Sequence, residues 1–169
     1  MTNSFENMLL DFTDTQTAHH WEAIDDHIMG GCSQSKPEQI DKVGLRFSGR
    51  VSLENNGGFA SIRSDSANYD LGQYSGLKLR LRGDGKSYKL SLRTDLFFDG
   101  ISYQATFTTE HDTWQELYLP FDDFTATHHG VKLSTVAPLN TTRIESFGLF
   151  IADGQEGSFQ LEIAWIHGL

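Results

Sequence analysis

Residues 77–96 read LKLRLRGDGKSYKLSLRTDL, two runs of alternating apolar and polar residues on either side of a Gly83-Asp84-Gly85 turn. Alternation with a period of two is typical of a strand that buries one face and exposes the other. The leucines of the first run fall on one face, opposite the cations between them. In the second run, Tyr88 and the leucines that follow it do the same. We therefore expect two strands joined by the turn as a hairpin.

Turn residues recur along the rest of the chain about every 10 to 15 residues, with strand-like runs between them. This spacing predicts an all-β, antiparallel β-sandwich rather than alternating strands and helices. The predicted strands after the hairpin are 101–108, 114–119, 144–152 and 159–166. A short helical turn is expected near 120–124. Residues 125–140 have no convincing period and predict a long loop, which in a small domain is often functional or mobile.

The chain has 169 residues and a formal net charge of −10, with 23 Asp and Glu against 13 Lys and Arg. This length fits one core, so we expect residues 1–169 to form a single domain. The acidic balance argues against nucleic acid as a partner, because phosphate binding needs a basic surface.

Cys32 is the only cysteine, which excludes an intramolecular disulfide and gives no indication of an oxidising compartment. The first residues, MTNSFENMLLDF, have neither the basic leader and apolar run of a secretory signal nor the arginine-rich composition of a transit peptide. No segment approaches the roughly 20 apolar residues of a membrane span. The expectation is a cytoplasmic protein without a membrane span, either bacterial or a mature form whose targeting segment is absent.

Two blocks, Trp21–Ser35 (WEAIDDHIMGGCSQS) and Phe47–Arg63 (FSGRVSLENNGGFASIR), each set a double glycine among acidic, amide and apolar residues. Neither block has a clear helical or alternating period, so both predict shaped loops. One interpretation is a ligand or partner site; the other is that the glycines allow bulges or close chain crossings in a sandwich. The candidate site residues in the blocks are Asp25, Asp26, Met29, Gly30, Gly31, Asn55, Asn56, Gly57, Gly58, Phe59 and Arg63.

A basic strand face is the second candidate site. Six of the 13 Lys and Arg residues lie between positions 78 and 93. If the hairpin forms, Arg80, Arg82, Lys89 and Arg93 share one sheet face with Gln104. Such a face could bind an anionic protein segment or a glycan through arginine and amide hydrogen bonds. The alternative is a solvated exterior whose cations pair with nearby carboxylates at little net energy.

Metal and catalytic sites receive less support from the sequence. His19, His20 and His27 lie near Asp25 and Asp26, and the pair His128-His129 could join them, but adjacent histidines on a strand point to opposite faces. A structural calcium ion is a possibility without nominated ligands, and otherwise no cofactor is expected. No Walker loop or dinucleotide motif is present. The acidic surroundings of Cys32 disfavour a catalytic thiolate, so we do not expect an enzyme.

The order of motifs along the chain carries a family resemblance. D-D-x-I-M-G-G-x-S-x-S is followed by F-x-G-x-V-S-L-E-N-N-G-G-F-A-S-I-R, then by G-D-G-x-x-Y, Tyr103-Gln104, Trp114 and P-F-x-x-F from Pro120. Over about residues 21–166 the chain resembles the mitochondrial complex I intermediate-associated protein family. The resemblance implies a jelly-roll sandwich like the galactose-binding domains and a role in assembling respiratory complex I. It does not imply an enzyme.

The sequence thus predicts a non-catalytic binding or assembly module. Its binding surface would join the basic face to the two glycine-rich blocks, with Arg63 and Gln104. By resemblance, the partner would be a protein, such as a subunit of a membrane complex during its assembly. The alternatives are a carbohydrate-binding module, since sugar sites are often built on this fold, and a metal-dependent enzyme.

Overall fold

Thirteen strands make up most of the computed structural model, which describes residues 7–169 except for the side chains of Ile28, Met29 and Asn56. Short 3₁₀ turns connect several of them. Within this described part, no helix is long and apolar enough to cross a membrane. The strands are β1 (Met8–Asp11), β2 (Trp21–Ala23), β3 (Gln34–Ile40), β4 (Gly44–Val51), β5 (Ala60–Ser64), β6 (Gly76–Arg82), β7 (Ser87–Arg93), β8 (Ser102–Thr108), β9 (Trp114–Pro120), β10 (Thr125–His128), β11 (Val131–Lys132), β12 (Ser146–Ile151) and β13 (Gly157–Gly168).

The strands form two antiparallel sheets. The first sheet has the order β3-β4-β13-β6-β9, with β1 also paired to β13. The second sheet has the order β11-β10-β8-β7-β12-β5-β2. Paired strands such as β4 and β13 are far apart in the chain, and consecutive strands such as β4 and β5 lie in different sheets. The chain therefore crosses between the sheets repeatedly. The predicted antiparallel sandwich is confirmed.

The core lies between the sheets and is built from the alternating strands. The leucines of β6 face Tyr88, Leu90 and Leu92 of β7, and all of these side chains are fully buried. Aromatic rings fill the rest of the space: Phe47 packs edge-on against Phe159 with ring centroids 4.9 Å apart. Burial of these large apolar side chains provides the main stabilisation of the sandwich.

The predicted hairpin of β6 and β7 is wrong. Strand β6 pairs with β13 and β9 in the first sheet, whereas β7 pairs with β12 and β8 in the second. The Gly83-Asp84-Gly85 segment therefore crosses from one sheet to the other. The apolar residues within both strands are buried as predicted, because two strands in facing sheets bury their inner faces just as two paired strands would. Leu96, which the alternation placed on the same face as Tyr88, lies beyond the end of β7 and is exposed. Alternation identifies a half-buried strand but does not identify its neighbour.

Hydrogen bonds of Asp84 hold this crossing. Its carboxylate accepts hydrogen bonds from the Tyr88 hydroxyl at 2.9 Å, the Lys86 amide at 3.2 Å and the Gln160 amide at 2.9 Å. Gly83 lies so close to Thr109 that a Cβ atom would overlap the threonine side chain. The crossing thus requires both the Asp84 carboxylate and a glycine at position 83.

The other predicted elements agree with the structure in part. Strands β8, β9, β12 and β13 are confirmed near their expected positions, as is a 3₁₀ turn at Phe121–Asp123. The long loop over 125–140 is wrong in its first half, where β10 and β11 form a hairpin. The glycine-rich blocks are not loops throughout, since they contribute β2 and parts of β3, β4 and β5. Glycine and serine within these strands obscure the apolar alternation.

Candidate functional site

The outward face of the second sheet carries a groove of about 440 Å³. Strands β5, β12, β7 and β8 form its floor, and the segments 98–100 and 127–130 form one rim. A groove of this size, with a mixed polar and aromatic lining, is typical of ligand sites. The side chains that line the groove include Phe59, Arg63, Lys89, Arg93, Gln104 and Phe150.

Strand register brings the polar floor residues together. Arg63 of β5 pairs with Gly148 of β12, Gly148 pairs with Ser91 of β7, and Ser91 pairs with Gln104 of β8. Side chains directly opposite one another in a sheet point to the same face, so Arg63, Ser91 and Gln104 share the groove side. A Cβ atom at Gly148 would lie 2.5 Å from the Ser91 hydroxyl oxygen, so the close approach of Ser91 requires glycine at this position.

Arg93 is the most buried cation in this floor, with 8% of its surface exposed. Its guanidinium donates to the carbonyl oxygens of Gly100 at 3.0 Å and Phe98 at 3.4 Å. Burial and the nearby Arg63 lower the pKa of Arg93 to about 10, although Asp95 and Asp99 act in the opposite direction. Arg93 therefore remains a cation at neutral pH, and its Nε atom has no hydrogen-bond partner in the described part of the chain.

Arg63 lies beside Arg93 and has a similar environment. Its guanidinium donates to the Phe98 carbonyl at 3.1 Å and stands over the Phe98 ring, 5.2 Å from the centroid. Burial lowers the pKa of Arg63, while Glu22, Asp95 and Asp99 partly offset this effect. Among the described residues, neither arginine has a carboxylate oxygen within 4.0 Å. The two arginines thus retain donors for an incoming acceptor group.

The rim segment after β7 exposes apolar side chains. Leu96, Phe97 and Phe98 are 73%, 75% and 58% exposed. Three consecutive large apolar residues exposed to water are unusual for a loop. The sequence analysis did not single out this segment, although Leu-Phe-Phe before the Asp99-Gly100 turn was visible in the sequence.

The same rim brings Asp99 close to two histidines. The Nε2 atom of His129 lies 2.6 Å from an Asp99 carboxylate oxygen, and that of His128 lies 3.9 Å from the other oxygen. The expectation that these adjacent histidines point to opposite faces is wrong: their rings lie next to each other, with centroids 4.1 Å apart and 34° between the ring planes. The cause is that His129 leaves the strand with a φ of 50°, which turns its side chain back towards His128.

Lys89, Arg93, Gln104, Phe59 and Arg63 are the predicted site residues that line the groove. Arg80 and Arg82 do not, because β6 belongs to the other sheet and their side chains lie on its outer face. The prediction of one continuous basic face is therefore wrong.

Arg82 has an internal role on that opposite face. It donates to the buried Glu162 carboxylate at 2.6 and 2.9 Å, and Arg46 donates to the same carboxylate at 3.1 Å. The guanidinium groups of Arg80 and Arg82 both lie over the ring of Trp114, at 5.2 and 5.0 Å.

The carboxylates of the first glycine-rich block join it to the second. Asp26 is fully buried and accepts hydrogen bonds from the Ser33 hydroxyl at 2.6 Å, the Ser33 amide at 2.9 Å and the Gly58 amide at 2.8 Å, with a longer one from the Phe59 amide at 3.3 Å. Burial alone would raise the pKa of Asp26, but these hydrogen bonds outweigh burial and lower it. Asp26 thus acts as an internal crosslink.

Asp25 continues this crosslink one residue earlier. It accepts hydrogen bonds from the Ser35 hydroxyl at 2.5 Å, the Ser35 amide at 2.8 Å and the Ser61 amide at 3.0 Å. A Cβ atom at Gly31 would overlap the Asp26 carboxyl group, and one at Gly57 would lie 2.6 Å from an Asp26 oxygen. At these positions the glycines allow a close chain crossing, which was the second of the two interpretations of the glycine-rich blocks.

The remaining predicted residues of the blocks stand outside the groove lining. Asn55, with φ of 55°, and Gly30, with φ of 83°, lie in turns, and the Asn55 amide group is 3.6 Å from the exposed Cys32 sulfur. Met29 and Asn56 were predicted as site residues, but their side chains lie outside the described residues. Ligand contact through these positions stays a prediction, as does a structural calcium ion.

Comparison with known families and proteins gives a consistent match. The family profile described as Complex I intermediate-associated protein 30 (CIA30) matches residues 10–163. The mouse protein named "Complex I intermediate-associated protein 30, mitochondrial" is 30% identical over 143 residues, covering 82% of this chain and 42% of its own length. The Drosophila melanogaster protein of the same name is 30% identical over 123 residues, covering 64% and 42%. The chain spans about two fifths of the length of these relatives.

Solved structures similar to this chain share its fold. A family 11 carbohydrate-binding module from Clostridium thermocellum, in complex with a β-1,3-1,4-mixed-linked tetrasaccharide, has a TM-score of 0.66 at 15% identity and covers 96% of this chain and 95% of its own. An exo-β-agarase has a TM-score of 0.59 at 11% identity over 96% of this chain and 25% of its own. At these identities the similarity shows the sandwich fold alone.

Proposed function

Because the chain belongs to the complex I intermediate-associated protein 30 family, we propose that it is a non-catalytic module that holds a segment of a protein partner in the groove of the second sheet. The names of the relatives associate them with complex I intermediates, and this supports a partner that is a subunit of a membrane complex. The relatives are mitochondrial by name, which gives the expected cytoplasmic, bacterial location no support.

The observation that carries this proposal is the pair of arginines in the groove floor. Arg63 and Arg93 share the Phe98 carbonyl as an acceptor, and neither has a carboxylate partner among the described residues. A main-chain carbonyl or an acidic side chain of a bound segment could accept their remaining donors. Gln104 adds an amide to the same floor.

The exposed apolar rim supports a protein partner over a small polar ligand. Phe98 lies against Arg63, and Leu96 and Phe97 precede it in the same exposed segment, so an apolar side chain of the partner could pack on them. Protein interfaces combine such aromatic anchors with arginine more often than other surfaces do. The partner segment we propose is therefore one with an apolar anchor next to an acidic or main-chain acceptor.

The test is a pull-down from detergent-solubilised membranes of the native host with three folded proteins: wild type, Arg63→Gln with Gln104→Ala, and Arg80→Gln. We expect wild type and Arg80→Gln to retain the same membrane-complex subunit, identified by mass spectrometry, and the groove variant to lose most of it. Arg80 is a matched control because it is an arginine on the outer face of the other sheet. Equal recovery by the groove variant would contradict the proposal.

The carbohydrate-binding alternative has weaker support. Sugar sites often use an exposed Tyr or Trp as a platform. The described residues that line the groove include neither residue type; their aromatic side chains are Phe59, Phe98, Phe150 and His129. A glycan array probed with the same three proteins would detect a sugar ligand, and binding that depends on Arg63 but not on Arg80 would replace the protein-partner proposal.

A further inference from the structure

Asp99, His128 and His129 present three potential metal-ligating atoms within 4.8 Å of one another. Among the residues that the structure describes, no other three His, Cys, Asp or Glu side chains are so placed. The cluster of His19, His20, Asp25, Asp26 and His27, which the sequence offered as candidate ligands, is not such a group in the part of the chain that the structure describes.

The distances suit a transition-metal ion. Zinc held by imidazole nitrogen and carboxylate oxygen at about 2.0–2.1 Å in a tetrahedron needs donor atoms about 3.3 Å apart. The two measured nitrogen–oxygen separations, 2.6 Å from His129 and 3.9 Å from His128, lie on either side of this value. Each of these two nitrogen–oxygen separations would have to change by only about 0.6–0.7 Å for the side chains to bind the ion.

The backbone at His129 adopts a strained conformation that holds the two imidazoles in this arrangement. A non-glycine residue with positive φ is uncommon, and such strain clusters at functional sites. The φ of 50° at His129 is what places both imidazoles on one side of the turn between β10 and β11. An asparagine or glycine would adopt this turn more readily, yet the residue present is a histidine aimed at Asp99.

We infer that Asp99, His128 and His129 form a binding site for a divalent transition-metal ion of the zinc class at the rim of the groove. Two imidazoles and one carboxylate suit zinc, whereas calcium prefers six to eight oxygen ligands. All three side chains are accessible to solvent, with exposed fractions of 42% for His128, 52% for His129 and 67% for Asp99. Asp99 and His129 also line the groove, so the fourth coordination position can take water or a group bound there.

This inference is independent of the proposed function, because metal binding is measured on the isolated protein. The first experiment titrates Zn²⁺ into metal-free protein by calorimetry, with Ca²⁺ as a comparison. A Cys32→Ser background removes the exposed thiol, which could also bind zinc. We expect one Zn²⁺ per chain and no comparable binding of Ca²⁺.

The variants are Asp99→Ala, His128→Gln and His129→Gly, with His27→Gln as the control for loss of an exposed histidine elsewhere. Glycine at position 129 removes the ring but accepts the positive φ, so this variant keeps the turn. We expect each site variant to weaken Zn²⁺ binding at least about tenfold and the control to leave it unchanged. Histidine ring signals in NMR spectra should shift on zinc addition for His128 and His129.

Two results would overturn the inference. One is Zn²⁺ binding to the Cys32→Ser protein with no saturable site of one ion per chain. The other is a site whose affinity is the same in His129→Gly and Asp99→Ala as in the protein that keeps all three ligands. In either case the three side chains are a hydrogen-bonded surface cluster.

Discussion

Asp26 determines how the two glycine-rich blocks meet. Its carboxylate is buried without a cation and is compensated by four hydrogen-bond donors from Ser33, Gly58 and Phe59. A buried carboxylate with this many donors is stabilised in its charged form. The same contacts explain the double glycines, since a side chain at Gly31 or Gly57 would collide with the carboxyl group.

We predict that Asp26→Asn lowers the free energy of unfolding by about 2 kcal/mol at neutral pH, since an amide loses the charge and directs a donor at other donors. The exposed Asp41→Asn serves as the control and should be nearly neutral. Urea denaturation followed by circular dichroism measures both changes.

The pH dependence provides a second test of the same residue. The pKa of Asp26 is lowered in the folded protein, so its stabilisation is present above the pKa of an unfolded aspartate, about 4, and is lost as the pH falls through the folded value. The stability difference between wild type and Asp26→Asn should shrink below about pH 4. A difference that stays constant down to the acid-unfolding region would contradict this role.

Glu162 is the corresponding buried carboxylate of the first sheet. It has 1% of its surface exposed, and its carboxylate forms salt bridges with Arg46 and Arg82. We predict that Glu162→Gln destabilises the protein by about 2 kcal/mol, because both arginines lose a charged partner in a partly buried place. Glu38→Gln, which breaks an exposed pair with Lys36, should change stability by less than about 0.5 kcal/mol. Equal losses in the two variants, measured in urea, would exclude a special role for Glu162.

At the scale of elements, the crossing between β6 and β7 shows what patterns can and cannot predict. The alternation identified the buried faces of β6 and β7 correctly, but it placed Ser91 and Arg93 on an exposed face of β7, where both are in fact buried. The partner strands were not predicted, because the residues of β12 and β13 that pair with β7 and β6 lie some 50 to 90 residues further along the chain. Long-range pairing depends on the whole set of apolar faces that must be covered.

Asp84 is the residue on which this crossing depends most. We predict that Asp84→Ala destabilises the protein by about 2–3 kcal/mol, because it leaves the Tyr88 hydroxyl and the Gln160 amide without their acceptor. Burial raises the pKa of Tyr88, so its hydroxyl keeps the proton that it donates. Asp122→Ala, in the exposed 3₁₀ turn, is the control for loss of a carboxylate. Similar denaturation midpoints for the two variants would contradict the prediction.

At the scale of the whole molecule, the two sheets share one core and present opposite outer faces. The single-domain expectation for residues 1–169 stays a prediction that unfolding can test. Trp21 reports on β2 of the second sheet and Trp114 on β9 of the first. We predict one cooperative transition, because neither sheet can bury its apolar face without the other.

The measurement uses two variants that each keep one tryptophan, at position 21 or 114, with phenylalanine at the other two tryptophan positions. In each variant, the denaturation curve from fluorescence should coincide with the curve from far-ultraviolet circular dichroism. Circular dichroism of the same sample is the control for any destabilisation by the substitutions. A Trp21 transition that precedes loss of the β signal would indicate separate unfolding of the second sheet.

The groove lies on the outer face of only one of the two sheets. Six cations clustered in the sequence between positions 78 and 93, but the sheet crossing divides them between two sides of the sandwich. Lys89 and Arg93 lie at the groove, and Arg80 and Arg82 lie on the opposite side. Arg63, 30 residues before Arg93, was predicted for the same surface through its glycine-rich block, whereas only the three-dimensional arrangement adds Phe98.

The sequence by itself determined the fold class, the family, most of the later strands and the inward-facing residues of those strands, because local alternation and ordered motifs are properties of neighbouring residues. Sheet membership, the crosslinking role of Asp25 and Asp26, and the Asp99–His128–His129 cluster were decided by tertiary structure alone. Each of these depends on residues brought together from separate strands or loops by the burial of a common core. No local pattern contains that information.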